Sequence, residues 1–291
     1  MMTFEQNDIA RPKVEIPRSV QWTMRSRAEN RSYQIMVAAP AEDPPPSGFP
    51  VIYLLDANSV FGTVVEAVRL QGGRPDKTGV VPAVVVGIGY PTERPFSPDR
   101  YYDYTPEPTT EYLHKSDGTA LPEQGGAAAF LQFIEEELKP QIEREFKIDS
   151  DRQTIFGHSL GGLFVLHVLF TKPSAFQCFV AGSPSIHWNR QRLLREERQF
   201  ASRLEREPLR VKVLLGAGEW EKHHISRNSD SARELSERLS ALSAYGVEAA
   251  FHEFEGENHV SVLPVLISRA LRFALYPAHR EERECGPAQR Q

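Results

Sequence analysis

Residues 153–163 read Gln-Thr-Ile-Phe-Gly-His-Ser-Leu-Gly-Gly-Leu, so Ser159 stands between Gly157 and Gly161 at the G-x-S-x-G spacing. A serine so placed is a nucleophile elbow: the strand-to-helix turn is too tight for side chains at the two glycines, and it lifts Oγ clear of the sheet edge above a helix N-terminus. The bare pattern arises by chance in roughly one chain in ten of this length, so the flanks decide. Residues 154–156 form a short buried-strand pattern, while Leu160, Leu163, Phe164 and Val168 recur at helical spacing. A hydroxyl of this kind becomes a nucleophile only when a base takes its proton. His259, in Phe254-Glu-Gly-Glu-Asn-His-Val-Ser, follows one apolar run and precedes the last helical one, which is where such a base is expected. Of the nine histidines, His158 points elsewhere in an elbow, and His223 and His224 come too early in the element order.

An acid that orients the imidazole should follow the strand before that one. There Leu215-Gly-Ala-Gly-Glu-Trp-Glu supplies Glu219 and Glu221. Glu219 is favoured because it follows the glycine turn immediately; Glu221 is the reserve and Asp230 a weaker third candidate. The tetrahedral oxyanion of acyl transfer needs two N–H donors. One is expected from the main chain of Leu160, the other from the main chain of Asn58 in Leu54-Leu-Asp-Ala-Asn-Ser.

The elements that must carry these groups alternate. Residues 18–28 and 31–39 alternate apolar and polar around Glu29-Asn30-Arg31, as an antiparallel pair does. Residues 51–55 and 80–88, the latter with Pro82 at its edge, are apolar runs with a helical stretch near 60–70 between them. A polar loop over 90–122 leads to a helix in which Phe130, Ile134, Leu138, Ile142 and Phe146 recur every fourth residue; Pro140 is expected to kink or end it. Further strands are expected at 176–180, 211–215 and 247–254, and further helices near 230–245 and 260–276. The charged stretch 190–206 reads as a solvated helix on a connection or lid. Such alternation predicts an α/β fold with a mostly parallel sheet and helices on both faces. Ligands bind such sheets beyond the carboxyl ends of the strands, where Ser159 falls.

With 291 residues, 40% hydrophobic and 25% charged, the chain is expected to form one globular domain with a core over about 15–277 and a polar tail at 278–291. A net charge of −5 argues against nucleic acid or an anionic membrane surface as partner, and favours a small molecule. The acidic N-terminal stretch does not read as a signal peptide, no segment approaches a membrane span, and Cys178 and Cys285 indicate no disulfide framework. The cytoplasm is the simplest compartment on this reading.

Taken together, these residues resemble the esterase family of α/β-hydrolases that includes the ferric-siderophore (enterobactin and bacillibactin) esterases. The matching segments are Val51-Ile-Tyr-Leu-Leu-Asp-Ala-Asn, Arg100-Tyr-Tyr-Asp-Tyr-Thr-Pro, Phe156-Gly-His-Ser-Leu-Gly-Gly-Leu-Phe, Gly182-Ser-Pro-Ser, Gly218-Glu-Trp-Glu and Glu255-Gly-Glu-Asn-His-Val-Ser-Val. The resemblance implies a serine esterase that cleaves trilactone esters of a ferric catecholate siderophore. It implies no cofactor, any iron arriving with the substrate, and it assigns Arg100 to substrate binding. An anionic aromatic substrate needs a cation and flat apolar surfaces, and Trp188 is a candidate wall. Two departures are Ala57, where the family often has glycine, and His187, where an aromatic or apolar residue is expected. The alternatives are a carboxylesterase for simple acyl or hydroxycinnamoyl esters, recognisable by a pocket with no exposed cation near Ser159, and a non-catalytic binding module with serine and histidine misaligned.

Overall fold

The computed structural model describes residues 14–115, 118–224 and 226–276. The acidic N-terminal stretch, the tail at 278–291 and Cys285 lie outside the described residues. The hairpin of β1 (Ser19–Arg25) and β2 (Ser32–Ala38) turns at Asn30, which takes the left-handed φ of 57° that asparagine tolerates. Apolar runs then give β3 (Phe49–Leu55), β4 (Val84–Gly89), β5 (Ile148–His158), β6 (Cys178–Gly182), β7 (Val211–Gly218) and β8 (Val247–Phe254). The central ones are buried on both faces, as parallel strands under helices must be. Pro82 falls just before β4, so no ladder donor is missing.

All eight strands form one sheet in the order β1-β2-β4-β3-β5-β6-β7-β8. The β1–β2 and β2–β4 pairs are antiparallel and every other pair is parallel. The helices are α1 (Ala57–Gly72), α2 (Pro75–Thr78), α3 (Arg100–Asp103), α4 (Ala127–Phe133), α5 (Lys139–Glu145), α6 (Leu160–Thr171), α7 (Arg190–Leu204), α8 (Asn228–Ser240) and α9 (Val262–Ala274). Val64 of α1 and Leu266 of α9 sit in one core layer, while Phe130, Leu166, Phe200 and Leu235 from α4, α6, α7 and α8 sit in the other. This is the mostly parallel sheet with helices on both faces that the alternation predicts.

Two expectations need adjusting, for physical reasons. Pro140 does not end its helical segment but marks a break in its regular geometry: α4 passes into a π-turn (Ile134–Leu138), and the proline falls in the first turn of α5. The wider turn draws the preceding carbonyls away from the ring, so the missing N–H costs little. The charged stretch forms the expected helix, α7, but only its outer face is solvated: Glu196 and Glu197 on the inner face are buried. Glu196 bonds His167 Nδ1 of α6 at 2.9 Å, and Glu197 takes both Arg238 contacts from α8, at 2.6 and 2.9 Å.

Candidate active site

The C-terminal ends of four neighbouring strands, β5 to β8, deliver the site. At the end of β5, Ser159 takes φ 59° and ψ −117°, a conformation that strains any residue with a Cβ by about 1–3 kcal/mol. Its neighbours hold it there: Ser159 N–H donates to Gly182 O at 2.9 Å. A Cβ at Gly157 would stand 2.3 Å from Gly161 O, so only glycine fits. Gly161, in contrast, has room, its nearest neighbour being Asp56 Oδ2 at 3.5 Å. The second tight position is Gly162, where a Cβ would meet Gly182 O at 2.9 Å and Pro184 Cα at 3.0 Å.

His259 Nε2 lies 3.0 Å from Ser159 Oγ, and His259 Nδ1 lies 2.7 Å from Glu221 Oε2. The carboxylate that reaches the imidazole is therefore Glu221, and the preference for Glu219 is corrected. β7 runs into a tight three-residue-per-turn helix (Glu219–His223), so side chains two positions apart point some 120° away from each other. Glu219 faces outward, accepting from Gly256 N–H and Lys222 Nζ, each at 3.0 Å. Glu221 turns inward and accepts from Ser183 Oγ at 2.5 Å and Gly218 N–H at 2.8 Å. Burial would raise its pKa, but the hydrogen bonds from His259, Ser183 and Gly218 outweigh it and hold the carboxyl below its ordinary value. Asp230 pairs with Arg227 at 2.6 Å on the surface.

The cavity over Ser159 has a volume of about 390 Å³, and its lining includes Arg100, Tyr101, Leu160, Ser185, Trp188 and Trp220. Leu160 opens α6, where main-chain N–H groups have no partner within the helix. Asn58 does not line this cavity. Its amide instead ties down the chain after β4, donating to Tyr90 O at 2.9 Å and Thr92 O at 2.8 Å and accepting from Tyr90 N–H at 2.8 Å. Ala57 is fully packed in the core beneath this turn.

Arg100 lines the cavity as an ion pair. Its Nε and Nη2 bond Asp56 at 3.0 and 2.8 Å, Nη2 also donates to His158 O at 3.2 Å, and the residue is 8% exposed. Its Nη1 makes no hydrogen bond among the described residues. Trp188 is a wall built jointly with the long polar loop. Thr109 Oγ1 donates to its carbonyl at 2.5 Å, its Nε1 donates to Gln124 at 3.0 Å, and its ring stacks on Tyr112 at 5.2 Å. His187 bonds Asn228 at 2.9 Å, and its burial lowers its pKa. His158 packs its ring 4.7 Å from that of His259; burial first, then His259 and Arg100, push its pKa down to about 3, so it is neutral.

Ser183, Ser185, Tyr101 and Trp220 were not singled out by sequence reasoning. The only signal for the serines was Gly182-Ser-Pro-Ser at the end of a strand. Among the described residues no group of three or more His, Cys, Asp or Glu side chains is placed to hold a metal ion. A buried carboxylate, an imidazole and a strained serine in one hydrogen-bonded line can pass a proton from the hydroxyl to the ring while the acid stabilises the imidazolium.

A family model described as "Putative esterase" matches residues 26–272. The ferri-bacillibactin esterase BesA of Bacillus subtilis is 60% identical over 255 residues, 87% of this chain and 88% of that protein. A siderophore enterobactin esterase of Emericella nidulans is 46% identical over 158 residues, 52% of this chain and 51% of that protein. Among solved structures, the BES protein from Bacillus cereus matches with a TM-score of 0.86 at 45% identity, covering 92% of this chain and 100% of that one.

Proposed function

Because this chain belongs to that esterase family and is an ester hydrolase, we propose that it opens the ester bonds of a ferric catecholate trilactone siderophore, with Ser159 as nucleophile. The observation that carries the substrate class is the 60% identity, over 87% of the chain, to a ferri-bacillibactin esterase. In the proposed mechanism His259 takes the Ser159 proton as Oγ attacks the ester carbonyl. Glu221 holds the ring and stabilises its charge, and Leu160 N–H donates to the oxyanion. As the bond from the acyl carbon to the alkoxy oxygen breaks, His259 protonates that oxygen, which leaves as a hydroxyl of the opened trilactone. In the second half, His259 takes a proton from water, the water oxygen bonds the acyl carbon, and the proton returns to Ser159 as its ester bond breaks. Arg100 offers Nη1 to an anionic oxygen of the substrate, and Trp188 a face to its rings. Iron enters and leaves as cargo. On this reading the protein works in the cytoplasm on a small molecule, apart from nucleic acid and membrane.

The simple-ester alternative keeps one observation in its favour: Arg100 is paired with Asp56, so it is not an exposed cation. An exposed cation does stand nearby, Arg190, in a recess that shares His187 with the cavity wall. Paired turnover of a ferric trilactone siderophore and a short p-nitrophenyl ester separates the readings. The siderophore should show the much higher kcat/KM, and Ser159→Ala should lose roughly 10⁴- to 10⁶-fold on both. Equal or lower kcat/KM on the siderophore would remove the iron connection and leave the simple-ester reading.

A further inference from the structure

Ser185 places a second hydroxyl against the nucleophile, its Oγ 3.2 Å from Ser159 Oγ. The residue is 5% exposed and firmly mounted: its N–H donates to Ser159 O at 3.0 Å, and its carbonyl accepts from Trp188 N–H at 3.0 Å. The direction of the hydroxyl contact follows from the rest of the line. Glu221 is a carboxylate, so His259 Nδ1 donates to it, and in the neutral ring Nε2 is then an acceptor. Ser159 commits its single proton to Nε2, which leaves its Oγ only the role of acceptor toward Ser185.

We propose that Ser185 is a further catalytic residue, whose O–H stabilises the charge that returns to Ser159 Oγ when the acyl-enzyme is cleared. The inference rests on Ser159 being the nucleophile. In the free enzyme Ser159 Oγ is a hydroxyl oxygen that already accepts well, so this hydrogen bond gains only modestly as the oxygen gives up its proton in attack. In the acyl-enzyme the same atom is the bridging oxygen of an ester, a poor acceptor. As water adds and the bond from the acyl carbon to Oγ breaks, the electron pair passes to Oγ and the His259 proton follows it. Ser185 keeps its own proton throughout. A bond that is weak in the acyl-enzyme and strong in the transition state accelerates that step selectively.

Pre-steady-state hydrolysis of p-nitrophenyl acetate by wild type, Ser185→Ala and Ser185→Thr tests this, with a fluorophosphonate probe counting competent sites. For Ser185→Ala, deacylation should slow by about 10- to 100-fold, the range for one hydrogen bond to a charged oxygen, and acylation by less than about fivefold. The acyl-enzyme should then accumulate as a burst near one equivalent per labelled site, and Ser185→Thr, which keeps the hydroxyl, should recover most of the rate. Equal slowing of both steps would show a displaced Ser159 and overturn the proposal, as would unchanged deacylation. Should Ser185→Ala fail to label, Ser185→Cys, nearly isosteric with a weak donor, must show the same selective slowing or the proposal falls. A wild-type enzyme whose turnover survives Ser159→Ala would sink the nucleophile assignment instead, so the two failures are distinct.

Discussion

Exchanging Glu221 for glutamine keeps the size of the side chain but removes the charge that faces His259 Nδ1 and accepts from Ser183 and Gly218. Steady-state kinetics should show kcat down by about 10³- to 10⁴-fold, the loss seen when an imidazole is left with the wrong tautomer and no counter-charge. Glu219→Gln, whose partners are a half-buried lysine and a loop N–H, should stay within about threefold. If Glu219→Gln proved the damaging exchange, the geometry would be wrong about which acid matters. Ser159 and His259 were legible because chain order and the elbow's glycine spacing nearly determine them. The acid was not, because the choice depends on how a tight helix rotates one residue past another, which no spacing rule encodes. Arg100 was legible as a residue of the site but not as an ion pair, since its partner Asp56 is 44 positions away in the chain.

At the scale of elements, the elbow and the turn after β6 press on each other through Gly162, not Gly161. Gly162→Ala should destabilise the protein by about 1–3 kcal/mol, the cost of overpacking, and reduce activity by shifting Ser183 and Ser185. Gly161→Ala should be tolerated, with stability within about 1 kcal/mol of wild type, because a helical alanine is intrinsically favoured and the space is open. Thermal melts of the two variants decide this, and a severe Gly161→Ala defect would count against it. The segment Arg100-Tyr-Tyr-Asp-Tyr-Thr is likewise a mount. Tyr33 and Tyr90 donate to the two oxygens of Asp103 at 3.1 and 2.8 Å, and Tyr104 Oη accepts from Asp56 N–H at 3.0 Å.

Burial pushes the Asp103 pKa up to about 7, against the lowering effect of both tyrosines and Arg31. Between about pH 4 and pH 7 the unfolded chain has lost this proton while the folded protein keeps it, so Asp103 makes stability fall as pH rises through that window. Asp103→Asn removes this dependence. The stability of the variant relative to wild type should therefore grow from pH 4 to 7, by at most about 1.4 kcal/mol per unit, and then level off. A gap constant with pH would show that Asp103 is already ionised in the folded state. The strands and most helices were legible from apolar runs and periodicity; the tyrosine clamp was not, because its members alternate polar and apolar tips that pair only after the sheet has formed.

The described residues form one sheet with two core layers, and Cys178 lies buried at the start of β6, its thiol raised to about 12 by burial. In a Cys285→Ser background, a thiol reagent should react with Cys178 only as fast as the molecule unfolds, so labelling should track denaturant titration of the fold. Rapid labelling in native buffer would show that this part of the sheet opens on its own. The site itself divides into two mounts. The catalytic line is cross-linked through the β6 and β7 ends, where Ser159 N–H meets Gly182 O at 2.9 Å and Ser183 N–H meets Gly216 O at 2.6 Å. The aromatic wall instead hangs on Thr109 and Gln124, which belong to a surface loop. The two mounts share one main-chain hydrogen bond, Trp188 N–H to Ser185 O at 3.0 Å, and are otherwise built from different segments. A lineage can therefore rewrite residues 107–124 and reshape the wall while Ser159, His259 and Glu221 keep their own supports, so a change of specificity is open to it through exchanges that spare the proton-transfer line.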